Sequence, residues 1–150
     1  MPEEDLHAFD FDLDRGIRLQ VVEELEKSPL LALRRGVGPT ASGIYALYFK
    51  EELVYIGKAT KEITKSKRTL RARLAEHVGK LSARQNITLE DMKCRYLTFD
   101  SDWWVIAAEF ALITHYTPEW NQSGFGSKAE GVGRPGTDRV SKFNKLFPKR

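Results

Sequence analysis

One cysteine, Cys94, stands in a chain of 150 residues. A lone thiol excludes an internal disulfide and a cysteine-based metal centre, and it suits a reducing cytoplasm. Long apolar runs are also missing, and none approaches the roughly 20 residues of a membrane span. The stretch from Met1 to Asp14 is acidic and lacks the basic start and apolar run of a signal peptide. No internal repeat is visible. What remains is ordinary for one soluble globular domain: 41% hydrophobic and 30% charged residues, enough to bury a core without staples.

Net charge is only +3, but it is segregated. Residues 1–30 hold nine acids and three bases, residues 58–84 nine bases and two acids, and residues 128–150 seven bases and two acids. Clustered Lys and Arg suit a polyanion, because they displace the counterions around phosphates. Charge alone fits a solvated, self-repelling surface equally well.

Periodicity supplies an outline. Arg15 to Lys27 predicts a helix with Ile17, Val21, Val22 and Leu25 near one face, Asp14 as N-cap and Ser28-Pro29 as its end. That apolar face suits either the chain's own core or an interface. Gly36, Gly38 and Pro39 mark a loop. Gly43–Phe49 and Leu53–Ala59 read as two strands joined by a turn at Lys50-Glu51-Glu52. A three-residue turn sets Phe49 against Leu53, Leu47 against Tyr55 and Tyr45 against Gly57. Tyr45 and Tyr55 then share a face, and Gly57 leaves room for a substrate. A loop of two or four residues would break this register. Thr69–Val78 predicts a second helix stopped by Gly79, with Arg73 and His77 stacked at i and i+4. Cys94–Phe99 predicts a third strand. Trp103–Tyr116 predicts a third helix, capped from Asp100-Ser101-Asp102 and stopped by Thr117-Pro118.

Glu109 is the sharpest single residue. Its neighbours on the helix are Val105, Ile106, Leu112, Ile113 and Tyr116. Burying a carboxylate there unpaired costs several kcal/mol or more, so it needs a cation or a proton. An ion pair with an arginine is one answer. A single hard divalent cation such as Mg²⁺, completed by waters, is another.

In their order and spacing, Gly43-Ile44-Tyr45, Tyr55-Ile56-Gly57, Arg73, His77, Glu109 and Asn121 resemble the GIY-YIG nuclease superfamily over about residues 42–122. The Arg73-x-x-x-His77 pair and the segment Trp120-Asn121-Gln122-Ser123-Gly124-Phe125-Gly126 resemble its type II restriction endonuclease branch. The resemblance implies an α+β fold with a three-stranded, mainly antiparallel sheet flanked by helices. An N-terminal arm and helix (1–40) precede the catalytic core (41–122), and a basic glycine-rich segment (123–150) completes the same domain. It also implies one Mg²⁺ per active site, with Mn²⁺ as a substitute.

Chemistry then suggests roles for these positions. Glu109 would hold the metal. Arg73 would grip the scissile phosphate. Tyr55 would donate to the phosphate or to the attacking water. Tyr45 would orient or deprotonate that water, but a phenol of pKa ≈ 10 faces a penalty of roughly 4 kcal/mol at pH 7. Either Lys58 lowers that pKa from across the strands, or His77 takes the proton. The sequence leaves both open. Asn121 would position substrate and scaffold the site. His115 reads as a helix-end residue complementing the dipole.

Gly131-Val132-Gly133-Arg134-Pro135-Gly136 satisfies G-x-G-x-x-G literally, but no strand precedes it and Pro135 interrupts it, so it reads as a basic loop. Lys61, Lys65, Lys67 and Arg68, with Lys128, Arg134 and Arg139, are candidate DNA contacts, mostly to phosphates. Arg134 and Arg139 are the nominees for reading guanine. The whole predicts an Mg²⁺-dependent, sequence-specific double-stranded DNA endonuclease leaving 5′-phosphate and 3′-hydroxyl ends. It would act as a homodimer or larger homo-oligomer and be paired with a DNA methyltransferase. A structure-specific repair nuclease and a non-catalytic DNA-binding module are the rivals.

Overall fold

The computed structural model describes residues 6–9, 12–62, 67–123, 125 and 142–150. Its sheet has four strands in the order β1 (Leu31–Ala32), β4 (Met92–Thr98), β2 (Gly43–Phe49) and β3 (Glu52–Ala59), and every pairing is antiparallel. The fourth strand, β1, was not expected. Two residues are too few for an alternating pattern to show.

The hairpin between β2 and β3 corrects the expected loop but keeps the register. The turn is two residues, Lys50-Glu51, both at positive φ (50° and 71°). Such primed turns match the right-handed twist of the strands. Phe49 therefore faces Glu52 and Tyr48 faces Leu53. The pairing then shifts by one residue, Val54 is left over as a β-bulge, and Leu47 still meets Tyr55 and Tyr45 still meets Gly57. The residue lost from the loop reappears as the bulge.

Helix α1 covers Leu13–Lys27 and starts earlier than expected. Asp12, not Asp14, is its cap, with Oδ1 accepting from the Arg15 N–H at 2.9 Å. Helix α2 covers Leu70–Ser82, and the Thr69 hydroxyl accepts from the Ala72 N–H at 3.1 Å. It runs straight through Gly79, the expected stop. Val78 and Leu81 are both buried, and their packing outweighs the roughly 1 kcal/mol that a helical glycine costs. Helix α3 covers Asp102–Tyr116 and ends on Thr117, at φ 44° before Pro118. Its expected cap is absent: Ser101 makes no side-chain capping bond, and the Asp102 carboxylate accepts from the Glu62 N–H at 2.8 Å. Helix α4 covers Lys142–Leu146.

Strand alternation sorts the core into two layers. Tyr45, Leu47, Tyr55 and Ala59 pack with Leu70, Leu74, Val78 and Leu81 of α2. Ile44, Ala46 and Ile56 pack with Val21 and Leu25 of α1 and with Val105, Ala108 and Leu112 of α3. The apolar face of α1 is therefore spent on the chain's own core. The C-terminal segment closes over the first layer, where Trp120, Phe125, Phe143 and Phe147 form an aromatic cluster. Backbone bonds from Gln85 to Pro148 (2.7 Å) and from Arg150 to Ala83 (2.8 Å) pin the end of the chain beside α2. No helix among the described residues is long and apolar enough to cross a membrane.

Candidate active site

Tyr45 stands in the middle of β2 with its side chain wholly buried. Its hydroxyl lies 2.5 Å from Nε2 of His77, which is itself 4% exposed. The ring fits because position 57 is glycine. A Cβ there would sit 2.4 Å from Cζ and from the hydroxyl oxygen of Tyr45. The room expected for substrate beside Gly57 is thus filled by the tyrosine itself. Tyr55 lies diagonally across, its ring centroid 6.1 Å from that of Tyr45 and 5.4 Å from that of His77.

Arg73 stands one helical turn before His77 on α2. Its Nη1 donates to Oε2 of Glu76 at 2.9 Å, and the same carboxylate pairs with Arg68. Burial pushes the Tyr45 phenol well above its ordinary range, and Tyr55 and Glu109 push it further. The charge of Arg73 and a hydrogen bond from it pull the other way.

A family model for the Eco29kI GIY-YIG domain matches residues 50–150. The chain belongs to this family of restriction endonucleases. It is therefore a nuclease, and its substrate is DNA. The match begins after β2, so Tyr45 lies outside it. The β2–β3 register is what brings Tyr45 to the family's segment, opposite Gly57. No curated protein matches the chain.

Lys58 departs from expectation. It follows Gly57, so alternation sends it to the opposite face from Tyr45. There its Nζ donates to Oε1 of Glu109 at 3.0 Å. It is a partner of Glu109, not a cation reaching across the strands to the phenol. Glu109 itself is partly buried rather than sealed, with 19% of its side chain exposed.

Asn121 lies in a 3₁₀ turn, Glu119–Asn121, beside β3. Its Oδ1 accepts from the Ile56 N–H and its Nδ2 donates to the Ile56 carbonyl, each at 2.9 Å. These bonds complete the free edge of β3 at the residue between Tyr55 and Gly57. The amide thus scaffolds β3, the second of the roles expected of it. His115 lies in the last turn of α3, as expected. Its Nδ1 lies 3.3 Å from Nη1 of Arg18.

Of the candidate DNA contacts, Lys61 and Lys67 are exposed, and Arg68 is exposed but paired with Glu76. Lys65, Lys128, Arg134 and Arg139, with the Gly131–Gly136 loop, lie outside the described residues. Two cations of the basic run 58–84 are structural. Arg84 is buried and bonds Asn144 (2.6 Å) and the Phe147 carbonyl (3.2 Å). Lys80 lies 4.4 Å over the Phe125 ring and donates to that residue's carbonyl. Its pKa falls to about 8, first from burial and then from Arg84 and Arg73.

Glu76 and Phe125 escaped the sequence reading. Glu76 had a signal, since it lies at i+3 from Arg73 on the same helix. Phe125 had little, because nothing in its segment says which helix it will meet. The same surroundings act on His77. Burial, then Arg73, then Lys80 lower its pKa to about 3. The pair is thus a neutral phenol against a neutral imidazole.

Proposed function

We propose that this nuclease is a type II restriction endonuclease. It cuts both strands of a specific DNA sequence with Mg²⁺ and leaves 5′-phosphate and 3′-hydroxyl ends. The observation that carries the reading is the buried Tyr45–His77 hydrogen bond, with Arg73 alongside it. A phenol tied to an imidazole, beside a guanidinium, is equipped to accept a proton next to a phosphate.

The charges argue for a relay. Ionising Tyr45 alone at pH 7 costs more than about 4 kcal/mol, given a raised phenol. Protonating His77 at a pKa of about 3 costs about 5 kcal/mol at the same pH. Neither charged form is held ready beforehand. Water therefore gives its proton to the Tyr45 oxygen as the Tyr45 proton moves to Nε2 of His77, and no free tyrosinate forms. The water oxygen bonds to phosphorus, the bond to the 3′ oxygen breaks, and that oxygen takes a proton from solvent. Arg73 binds the scissile phosphate after leaving Glu76. The phosphate offsets the guanidinium charge that depresses His77, so DNA itself makes His77 more basic. Tyr55, at the edge of the cluster, donates to the phosphate or the attacking water.

No group of three or more acids, histidines or cysteines able to hold a metal occurs among the described residues. Mg²⁺ needs no such cage, because one or two carboxylates with waters and phosphate oxygens suffice. Glu109, partly exposed, fits that requirement, and Mn²⁺ accepts the same oxygen ligand. When bound, the metal supplies Lewis acidity and stabilises the leaving oxygen. Lys58 keeps the Glu109 carboxylate in place until then.

One chain carries one such site, so cutting both strands takes two copies. Trp103, Trp104 and Phe110 on α3 are 70%, 59% and 59% exposed, an uncharged surface better suited to a second copy than to phosphates. A partner methyltransferase would protect host DNA. The deciding experiment is digestion of unmethylated phage DNA with Mg²⁺ and with EDTA. Discrete Mg²⁺-dependent fragments are expected. Intact duplex alongside cleavage of forks or flaps would instead assign a structure-specific nuclease.

A further inference from the structure

The carbon framework around His77 is more specific than a core requires. The Phe125 ring lies 4.9 Å from the imidazole, at 26°, so the two are stacked. The same ring meets Tyr55 edge-on at 5.0 Å and 86°. Phe125 is 1% exposed and is backed by Trp120 at 4.9 Å and Phe143 at 4.7 Å. Lys80 holds it from the α2 side through its carbonyl and its ring face. One side chain thus covers the imidazole and braces the second tyrosine, and it is clamped from two directions. A residue that only filled volume would need none of this orientation.

We propose that Phe125 is a positioning residue for the Tyr45–His77 pair: its stacked ring fixes the imidazole plane and excludes water from it, keeping Nε2 aimed at the Tyr45 hydroxyl. The proposal rests on the proton-relay reading above. It assigns the segment after Asn121 a part in catalysis through His77, with Phe125 itself buried. The groups facing His77 are Arg73 and Lys80 from α2, Tyr45 from β2 and Tyr55 from β3. Phe125 is the uncharged wall on the remaining side. Removing that wall admits water and releases the ring from its plane.

The test compares Phe125→Ala and Phe125→Leu with the unaltered full-length chain. Leucine keeps most of the volume and loses the stacked face, so one variant remains informative if alanine does not fold. Ring-nitrogen NMR shifts of His77 are followed from pH 4 to 8 without DNA, and kcat and KM are measured on duplex DNA. In the unaltered protein the His77 signals should stay flat and neutral across that range. In the variants they should move, with titration rising into it, and kcat should fall about 10- to 100-fold with KM within about threefold. A folded Phe125→Leu protein with unchanged His77 signals and kcat within twofold overturns the proposal and leaves Phe125 a plain core residue. If the unaltered protein cuts no DNA, the nuclease reading fails, while the NMR comparison still decides whether Phe125 sets the imidazole.

Discussion

At position 57 any side chain collides with Tyr45, because the added carbon falls 2.4 Å from the hydroxyl. The backbone there is ordinary strand, so the glycine is required by its neighbour and not by φ. Gly57→Ala should push the phenol off His77 and lower cleavage by at least about 100-fold while DNA affinity changes little. Near-normal cleavage would show that the ring can move without loss. The buried imidazole gives a second prediction. Its folded pKa of about 3 lies below the unfolded value of 6.5, so the unfolded chain takes up the proton first as pH falls. Its contribution to stability is complete above pH 6.5. It drains away between pH 6.5 and 3 at up to about 1.4 kcal/mol per pH unit. Urea unfolding between pH 4 and 7 should show this slope in the unaltered protein and a shallower one in His77→Gln. Parallel slopes would mean that His77 is not held neutral. The partnership itself was open in the sequence: Arg73 and His77 at i and i+4 put the histidine on the right face, but Lys58 competed for the same tyrosine. Only the pairing of Ile44 with Lys58, one step beyond Tyr45 with Gly57, sends that lysine to the other side.

Among the elements, β3 depends on the least obvious support. It is an edge strand, and the pairing that its edge lacks at Ile56 comes from the Asn121 side chain. Asn121→Ala removes both bonds and should destabilise the protein by about 1–3 kcal/mol, with cleavage falling in step as Tyr55 and Gly57 lose their anchorage. Thermal unfolding and cleavage rates measured together check this. Unchanged stability with lost cleavage would return Asn121 to the substrate. The sequence displayed these elements wherever a period ran long enough, as in α1, α3, β2 and β3. It hid them where a local signal met tertiary packing. Gly79 reads as a helix stop until the burial of Leu81 is known, and a three-residue turn is as natural as a two-residue turn plus a bulge. The tyrosine register survived because both solutions count to the same residue.

For the whole molecule, part of the segregated charge is structural. Arg84 and Lys80 looked like part of a DNA-facing run, yet they fasten the C-terminal segment to α2. The order of the motifs was the better guide, because it follows the order of β2, β3, α2 and α3 along the chain. The Tyr45–His77 pair lies on the α2 face of the sheet and Glu109, on α3, meets Lys58 on the other; on the reading proposed above, one such set breaks one strand. If that reading holds, two copies act on one site, and a mixture of good and bad copies exposes the arrangement. Glu109→Gln should keep DNA binding, because it removes no phosphate-gripping cation, and should abolish cleavage. Mixed in excess with the unaltered protein, it should convert supercoiled plasmid carrying one site to nicked circles instead of linear DNA, since each mixed pair cuts one strand. Linear product at a level that simply follows the unaltered protein would show that one chain makes both cuts in turn. Nicked circles from the unaltered protein alone would show that the enzyme acts on a single strand and is not a double-strand cutter.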